Sequence, residues 1–321
     1  MTDALTVVIP AYNRERTVAA TVASVRACGV PAEVVVVDDG SKDRTVEVAR
    51  GTGVTVVSQA NGGPAAARNT GVAHASGDVL AFLDSDDVWL PGTAAAALQA
   101  LRDHPDLDAV FCETHFGNAA DGYRPLSPIT AGGCFGELLT DPIGPDLYRL
   151  DRGRFVRLML DRNQVFLGST LIRRAALDRL GLFDPRLFGG EDYELCLRLA
   201  AGAKWGFLAR PLAQYEKHPG GLSADPDRMA REFALALRDA AARPDLFTPA
   251  EYALVKRRHR ELSFYHGYVA YQRGDLGAAR GRFAAALRHG GFSPKAAAYW
   301  LVCCLPGGVV RSLRRLKGAA P

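Results

Sequence analysis

Three carboxylates within four residues, Asp84-Ser85-Asp86-Asp87, follow the apolar run Val79-Leu80-Ala81-Phe82-Leu83. An uninterrupted apolar run of that length reads as a buried strand, so the acids crowd at a strand end. Like charges this close repel one another unless a cation or a polar ligand offsets them. The spacing Asp84-x-Asp86 suits a hard divalent ion, Mg²⁺ or Mn²⁺, which takes oxygen ligands and leaves positions open for phosphate. The same residues also suit a solvated acidic turn ahead of a helix started by Pro91. A second acidic pair, Asp38-Asp39, ends the β-branched run Val34-Val35-Val36-Val37. A third, Glu191-Asp192, stands where a helix begins, a place the helix dipole favours for any acid.

The elements that must position these groups alternate. Residues 5–10 read as a strand stopped by Pro10 and followed by Ala11-Tyr12-Asn13-Arg14. Helical periodicity over 17–27 leads to a strand over 33–37, a short helix over 45–50 and a strand over 54–57. Strands of this kind, each a continuous apolar run between helices, predict a parallel sheet covered on both faces. Ligands bind such sheets at the carboxyl ends of the strands. Those ends carry Pro10-Ala11-Tyr12, Asp38-Asp39 and Asp84-Ser85-Asp86. No GxGxxG follows the first strand and no GxxxxGK[ST] occurs anywhere, which disfavours a Rossmann dehydrogenase or a P-loop enzyme.

The segment Asn61-Gly62-Gly63-Pro64 reads as a glycine turn with Pro64 in a first helical position, and the helix runs to about residue 75. Its N-terminus at Gly63 is expected to offer free N–H groups to phosphate, with Arg68 adding charge one turn in. A plain helix cap with a solvated arginine is the simpler alternative. Further on, a helix over 93–101, a strand over 109–112, a helix over 154–160, a strand over 165–172 and a helix over 174–180 are expected. Residues 113–151 lose periodicity and are either a functional loop or surface decoration. Two last strands, 204–208 and 212–216, lead to Lys217-His218-Pro219.

After Asp225 the composition shifts to Ala- and Arg-rich helices over 227–242, 249–273 and 276–288, so the expected domains are 1–225 and a helical 226–321. One tetratricopeptide-like hairpin over 267–287 lacks a second unit at a matching period and does not make an array. The tail from Trp300 is apolar, then basic at Arg311, Arg314, Arg315 and Lys317. It suits either peripheral contact with an anionic membrane or a solvated last helix.

With 321 residues, 48% hydrophobic, 23% charged and a net charge of +4, the chain is of ordinary globular composition. No nucleic-acid partner is expected. Six cysteines without CxxC spacing point to a reduced protein. No secretory signal follows Met1 and no apolar run is long enough to span a membrane. The expected location is the cytoplasm, at the inner face of the membrane if the tail docks there.

Six segments occur in order: Val8-Ile9-Pro10-Ala11-Tyr12-Asn13, Val36-Val37-Asp38-Asp39-Gly40-Ser41, Gly62 to Asn69, Phe82-Leu83-Asp84-Ser85-Asp86-Asp87, Glu191-Asp192 and His218-Pro219-Gly220. Together they resemble the family 2 glycosyltransferases over roughly residues 4–225. The resemblance implies an α/β fold of the GT-A type, a mostly parallel central sheet flanked by helices, with a helical C-terminal extension outside the match. It implies inverting transfer of a sugar from a nucleoside diphosphate sugar, UDP- or dTDP-linked, to an acceptor hydroxyl. By similarity Asp86 and His218 hold a divalent metal, Mn²⁺ or Mg²⁺, and Asp84 meets ribose or metal beside Ser85. Asp39 accepts the base N3–H next to Asp38, while Tyr12 packs on the base with Pro10 and Ala11. Gly63 and Arg68 approach the phosphates or base, and Asp192, with Glu191 beside it, is the base. The chain has Glu216-Lys217 where the family often has Arg before the His, which leaves the role of His218 less defined. The acceptor is a glycan, lipid-linked or small-molecule hydroxyl, with envelope polysaccharide or glycolipid synthesis the expected setting. A non-catalytic nucleotide-sugar or glycan binding module is the alternative, although it would tend to lose one of the acids. A nucleotidyltransferase would bring a glycine-rich basic loop after the first strand, which is missing.

Overall fold

The computed structural model describes residues 3–118, 122–125, 136, 138–161, 163, 165–216 and 226–316. The chain divides into two compact units, residues 1–225 and 226–321.

The first unit begins with β1 (Leu5–Ala11), α1 (Val18–Arg26), β2 (Ala32–Asp38), α2 (Thr45–Gly51) and β3 (Thr55–Ser58). Next come α3 (Gly63–His74), β4 (Val79–Phe82), β5 (Val88–Trp89), α4 (Thr93–Asp103), β6 (Ala109–Asn118) and β7 (Gly122–Pro125). It continues with β8 (Asp141–Gly144), β9 (Leu147–Arg149), α5 (Arg152–Asp161), β10 (Thr170–Arg173), α6 (Arg174–Leu180), α7 (Glu191–Gly202) and β11 (Trp205–Glu216). Among the described residues the strands form one sheet in the order β3-β2-β1-β4-β10-β6-β11-β9-β8, with β5 beside β11 and β7 beside β6.

The pairs β3–β2, β2–β1 and β1–β4 are parallel, and β10 runs antiparallel to both β4 and β6. Strands β4 and β6 therefore run the same way, so the carboxyl ends of β1, β2, β4 and β6 open on one edge. Residues of β1 and β4 are buried throughout, as strands covered on both faces must be. Phe111, Phe155, Trp205 and Phe207 lock α5 to the sheet with ring centroids 4.8 to 6.0 Å apart. Gly71 brings α3 hard against β1, for a Cβ there would lie 2.2 Å from Cγ1 of Val8. That close approach sets where the start of α3 meets the end of β2.

The strand expected over 165–172 begins only at Thr170, after a 3-10 turn over Leu167–Ser169, and it is antiparallel. Apolar content alone carries no strand direction. The two strands expected over 204–216 are one, β11, whose register against β6 shifts at Pro211. A proline without an N–H interrupts the ladder there without ending the strand. Within 113–151, expected to be irregular, the described residues include the continuation of β6 and the strands β7 to β9.

The second unit consists of α8 (Pro226–Ala241), α9 (Pro249–Arg273), α10 (Leu276–Gly290), α11 (Pro294–Cys303) and α12 (Gly307–Leu316). Thr248 and Glu251 form a capping box at the start of α9, and Asp275 caps α10. The two helices cross closely at Gly267, where a Cβ would lie 2.8 Å from the Phe283 ring. No described helix is long and apolar enough to cross a membrane.

Candidate active site

At the end of β2, Asp38 and Asp39 are both buried. The Asp38 carboxylate accepts the Ser41 N–H at 3.2 Å and so shapes the turn that follows. Asp39 reaches the start of α3: its Oδ1 accepts from Gln59 Nε2 and the Gly62 N–H, and its Oδ2 from the Gly63 N–H, each at 2.8 Å. The amides expected to face phosphate are thus donated to Asp39, an anion held by a helix N-terminus. A carboxylate offers about four acceptor positions, so one remains on Oδ2 of Asp39. Gly63 has a φ of 84°, and a Cβ there would sit 3.0 Å from the Phe188 ring. A side chain at that position would be strained and crowded. Phe188 is a large exposed aromatic beside this end of the site. It was not singled out from the sequence, although an aromatic just before Gly189-Gly190-Glu191 is a visible signal.

Tyr12 stands exposed at the end of β1, beyond the buried Ala11. Its loop is laced to the loop after β2. The Asn13 N–H donates to Ser41 Oγ at 2.9 Å, Asn13 Oδ1 accepts the Lys42 N–H at 2.8 Å, and the Arg14 N–H donates to Thr45 Oγ1 at 2.7 Å. Asn13 takes a φ of 53°, a conformation asparagine tolerates better than most residues.

The acidic turn after β4 is closed by the Asp87 N–H on the Asp84 carbonyl at 3.0 Å, and the Thr21 hydroxyl donates to the Asp87 carbonyl at 2.9 Å. Ser85 and Asp87 point inward, while Asp84 and Asp86 reach toward solvent. Arg14 Nη2 pairs with Asp86 Oδ2 at 3.1 Å. Arg68, from α3, donates through Nη2 to Asp84 Oδ1 and through Nη1 to Glu191 Oε1, both at 2.6 Å. Its guanidinium lies 5.3 Å from the centre of the Phe183 ring, and its side chain is only 5% exposed. Burial disfavours its charge, yet the carboxylates of Asp84 and Glu191 outweigh that and push its pKa up. Arg68 is therefore a buried tie between α3, the acidic turn and α7, in place of the charge expected at the phosphates.

Helix α7 begins after Gly190, whose φ of 68° turns the chain into the helix. Tyr193 Oη donates to the Met159 carbonyl at 2.7 Å, and Arg198 binds Glu194 and the carbonyls of Leu180, Gly181 and Leu182. Asn69 clasps the backbone of Phe183 in both directions, 2.8 Å through Nδ2 and 3.1 Å through Oδ1. These contacts hold α7 to α5 and to the end of α6, and Asn69 ties the following segment to α3; the Arg68–Glu191 pair joins the first turn of α7 to α3. Asp192 is half-buried there, with the Tyr193 N–H on its Oδ1 at 2.7 Å. Burial, reinforced by the charges of Glu191 and Asp84 and opposed by Arg68, raises its pKa to about 6.

The sites nominated from sequence thus fall into two linked groups. Pro10, Ala11, Tyr12, Asp38, Asp39 and Gly63 gather where β1 and β2 end. Arg68, Asp84, Ser85, Asp86, Glu191 and Asp192 gather where β4 ends, and α3 joins the groups. His218 lies outside the described residues. Among the described residues no three His, Cys, Asp or Glu side chains alone converge to hold a metal. Asp84 and Asp86 supply hard oxygen donors, which fit Mn²⁺ or Mg²⁺ if diphosphate oxygens complete the shell. Glu113, buried within β6 where the apolar run Ala109–Cys112 stops, was not singled out. It too is an acid closing an apolar run.

Solved structures share this architecture. TarS 1–349 from Staphylococcus aureus, in complex with UDP-GlcNAc, aligns with 97% of this chain and 92% of its own at a TM-score of 0.66 and 18% identity. Mannosyltransferase PcManGT from Pyrobaculum calidifontis, in complex with GDP-Man and Mn²⁺, aligns with 97% and 86% at a TM-score of 0.55 and 19% identity. The fold is the GT-A fold, a mostly parallel sheet flanked by helices with a helical C-terminal region. The chain belongs to glycosyl transferase family 2, whose profile matches residues 6–179, more than half of its length. It is 37% identical over 210 residues to the succinoglycan biosynthesis protein ExoU of Rhizobium meliloti (strain 1021), spanning 63% of this chain and 58% of that protein. It is 33% identical over 244 residues to the uncharacterized glycosyltransferase EpsJ of Bacillus subtilis (strain 168), spanning 72% and 66%. The chain therefore matches less than two thirds of the length of either relative.

Proposed function

We propose that this chain transfers a sugar from a nucleoside diphosphate sugar to an acceptor hydroxyl with inversion at the anomeric carbon. The observation that carries the reading is the gathering of acids where β4 ends, with Arg68 bridging Asp84 to Glu191 beside Asp192, whose pKa burial raises to about 6. A base poised near neutral pH is what deprotonating an attacking hydroxyl requires. In one displacement the acceptor oxygen gives its proton to Asp192 and bonds to the anomeric carbon. The bond from that carbon to the diphosphate breaks, and the nucleoside diphosphate leaves. Asp84 and Asp86 would hold a divalent ion which, when bound, supplies Lewis-acid stabilisation of the leaving charge. The remaining acceptor position on Asp39 suits an imide N–H, which favours uridine or deoxythymidine diphosphates. Family membership and the likeness to ExoU support polysaccharide or glycolipid synthesis as the setting.

A thermal-shift panel of nucleotide sugars with and without Mn²⁺ tests the donor reading, followed by NMR assignment of the product anomer. No stabilisation by any nucleotide sugar, or a retained anomer, would overturn it. Asp39→Ala removes the anion that caps Gly62 and Gly63, so it lowers stability by about 0.5–2 kcal/mol. It also abolishes the preference for UDP over ADP in titration calorimetry, and a preserved preference would remove Asp39 from base selection. Arg14 competes with a cation for Oδ2 of Asp86. Arg14→Ala therefore tightens Mn²⁺ binding in the presence of UDP by about two- to fivefold, the worth of an exposed ion pair. Weaker Mn²⁺ binding in that variant would mean that Arg14 serves the diphosphate instead.

A further inference from the structure

The charge of this chain is sharply divided. Residues 276–321 contain no Asp or Glu and eight Lys or Arg: Arg280, Arg282, Arg288, Lys295, Arg311, Arg314, Arg315 and Lys317. With +4 over the whole chain and +8 here, residues 1–275 carry −4. The same basic segment exposes large apolar side chains. Phe292 is 78% exposed, Leu301 59%, Leu305 42% and Val309 47%. They are not what holds α11 and α12 in the second unit, since Cys303 and Val310 face its core. Along α12, Val309, Leu313 and Leu316 follow the spacing i, i+4, i+7, which puts them on one helical stripe. Arg311, Arg314 and Arg315 fall on the opposite side of the helical wheel. A basic helix with a separate apolar stripe is suited to lying in a membrane interface.

We propose that α11 and α12 dock this chain on a bilayer containing anionic lipid. Lys and Arg approach the head groups, and Leu301, Leu305 and Val309 enter the boundary beneath them. A nucleic acid would satisfy the charge but leave these apolar side chains exposed, which is why lipid is the occupant the surface fits. The proposal is independent of the sugar-transfer reading.

Co-sedimentation of the full chain with vesicles tests it. The expected result is binding to phosphatidylcholine mixed with phosphatidylglycerol, none to phosphatidylcholine alone, and weakening at high salt. Replacing three of the basic residues (Arg311→Ser, Arg314→Ser, Arg315→Ser) lowers the affinity about a hundredfold, near a factor of five per cation. Leu301→Ser with Leu305→Ser and Val309→Ser lowers it about tenfold or more with no charge change. Leu301, Leu305 and Val309 are exposed, and circular dichroism with thermal unfolding verifies that both variants fold. Equal binding to neutral vesicles, binding that both variants keep, or tighter binding to a single-stranded RNA oligonucleotide than to anionic vesicles would overturn the proposal.

Discussion

Asp192→Asn lowers kcat by roughly 10²–10⁴-fold, the contribution of a positioned base, and leaves UDP affinity in calorimetry unchanged. The same substitution stabilises the protein near neutral pH. The folded state holds the Asp192 proton up to a pKa of about 6, well above the 3.8 of an ordinary aspartate. The folded protein thus binds this proton more tightly than the unfolded chain, and its stability falls as pH rises from about 4 to about 6. Asparagine does not titrate, so the variant gains nothing below that window and its full advantage above it. After a discount for solvent screening, that advantage is about 1–2 kcal/mol. Thermal unfolding at acid and neutral pH measures it, and the kcat/KM profile of the wild type falls tenfold per pH unit below about 6. Undiminished turnover, or a stability gain confined to acid pH, would take Asp192 out of this role.

Arg68→Met has the largest expected effect on stability. It leaves Glu191 buried without its counter-charge and frees Asp84, which costs about 3–5 kcal/mol and lowers Tm by roughly 10 °C. Adding Glu191→Gln restores part of the loss, because no buried charge then lacks a partner. The two residues also act on Asp192 in opposite directions. Arg68 holds its pKa down and Glu191 holds it up. Removing Arg68 moves the acid limb of the pH–rate profile upward, and Glu191→Gln alone moves it downward. Two shifts in the same direction would refute this electrostatic arrangement, whatever the unfolding data show.

What the sequence made legible follows from which interactions are local. The apolar runs of β1, β2 and β4 and the acids that end them are contiguous, so periodicity and spacing were enough to find them. The partners were not local. Asp39 meets amides 23 and 24 residues away, and Arg68 meets Glu191 across 123 residues. Nothing in a linear pattern says that a helix N-terminus is already occupied by a carboxylate from a neighbouring strand. A local signal does exist: Arg68 shares one helical stripe with the small or apolar Ala65, Gly71 and Val72, and all four are buried on α3. That stripe turns Arg68 inward, toward other side chains. The direction of β10 and the unbroken course of β11 depend on which strands lie alongside, information that hydrophobicity does not hold.

The lacing between the loops that follow β1 and β2 has a kinetic and thermodynamic consequence. Backbone amides of Asn13, Arg14, Glu15 and Lys42 are each donated to a side chain of the opposite loop. Groups held this way resist deuterium exchange in the free protein, and on the proposed function the wall they would present to a nucleoside is set before it arrives. Association then demands little new ordering from this part of the chain, so affinity reflects the fit of the ring against a preset surface.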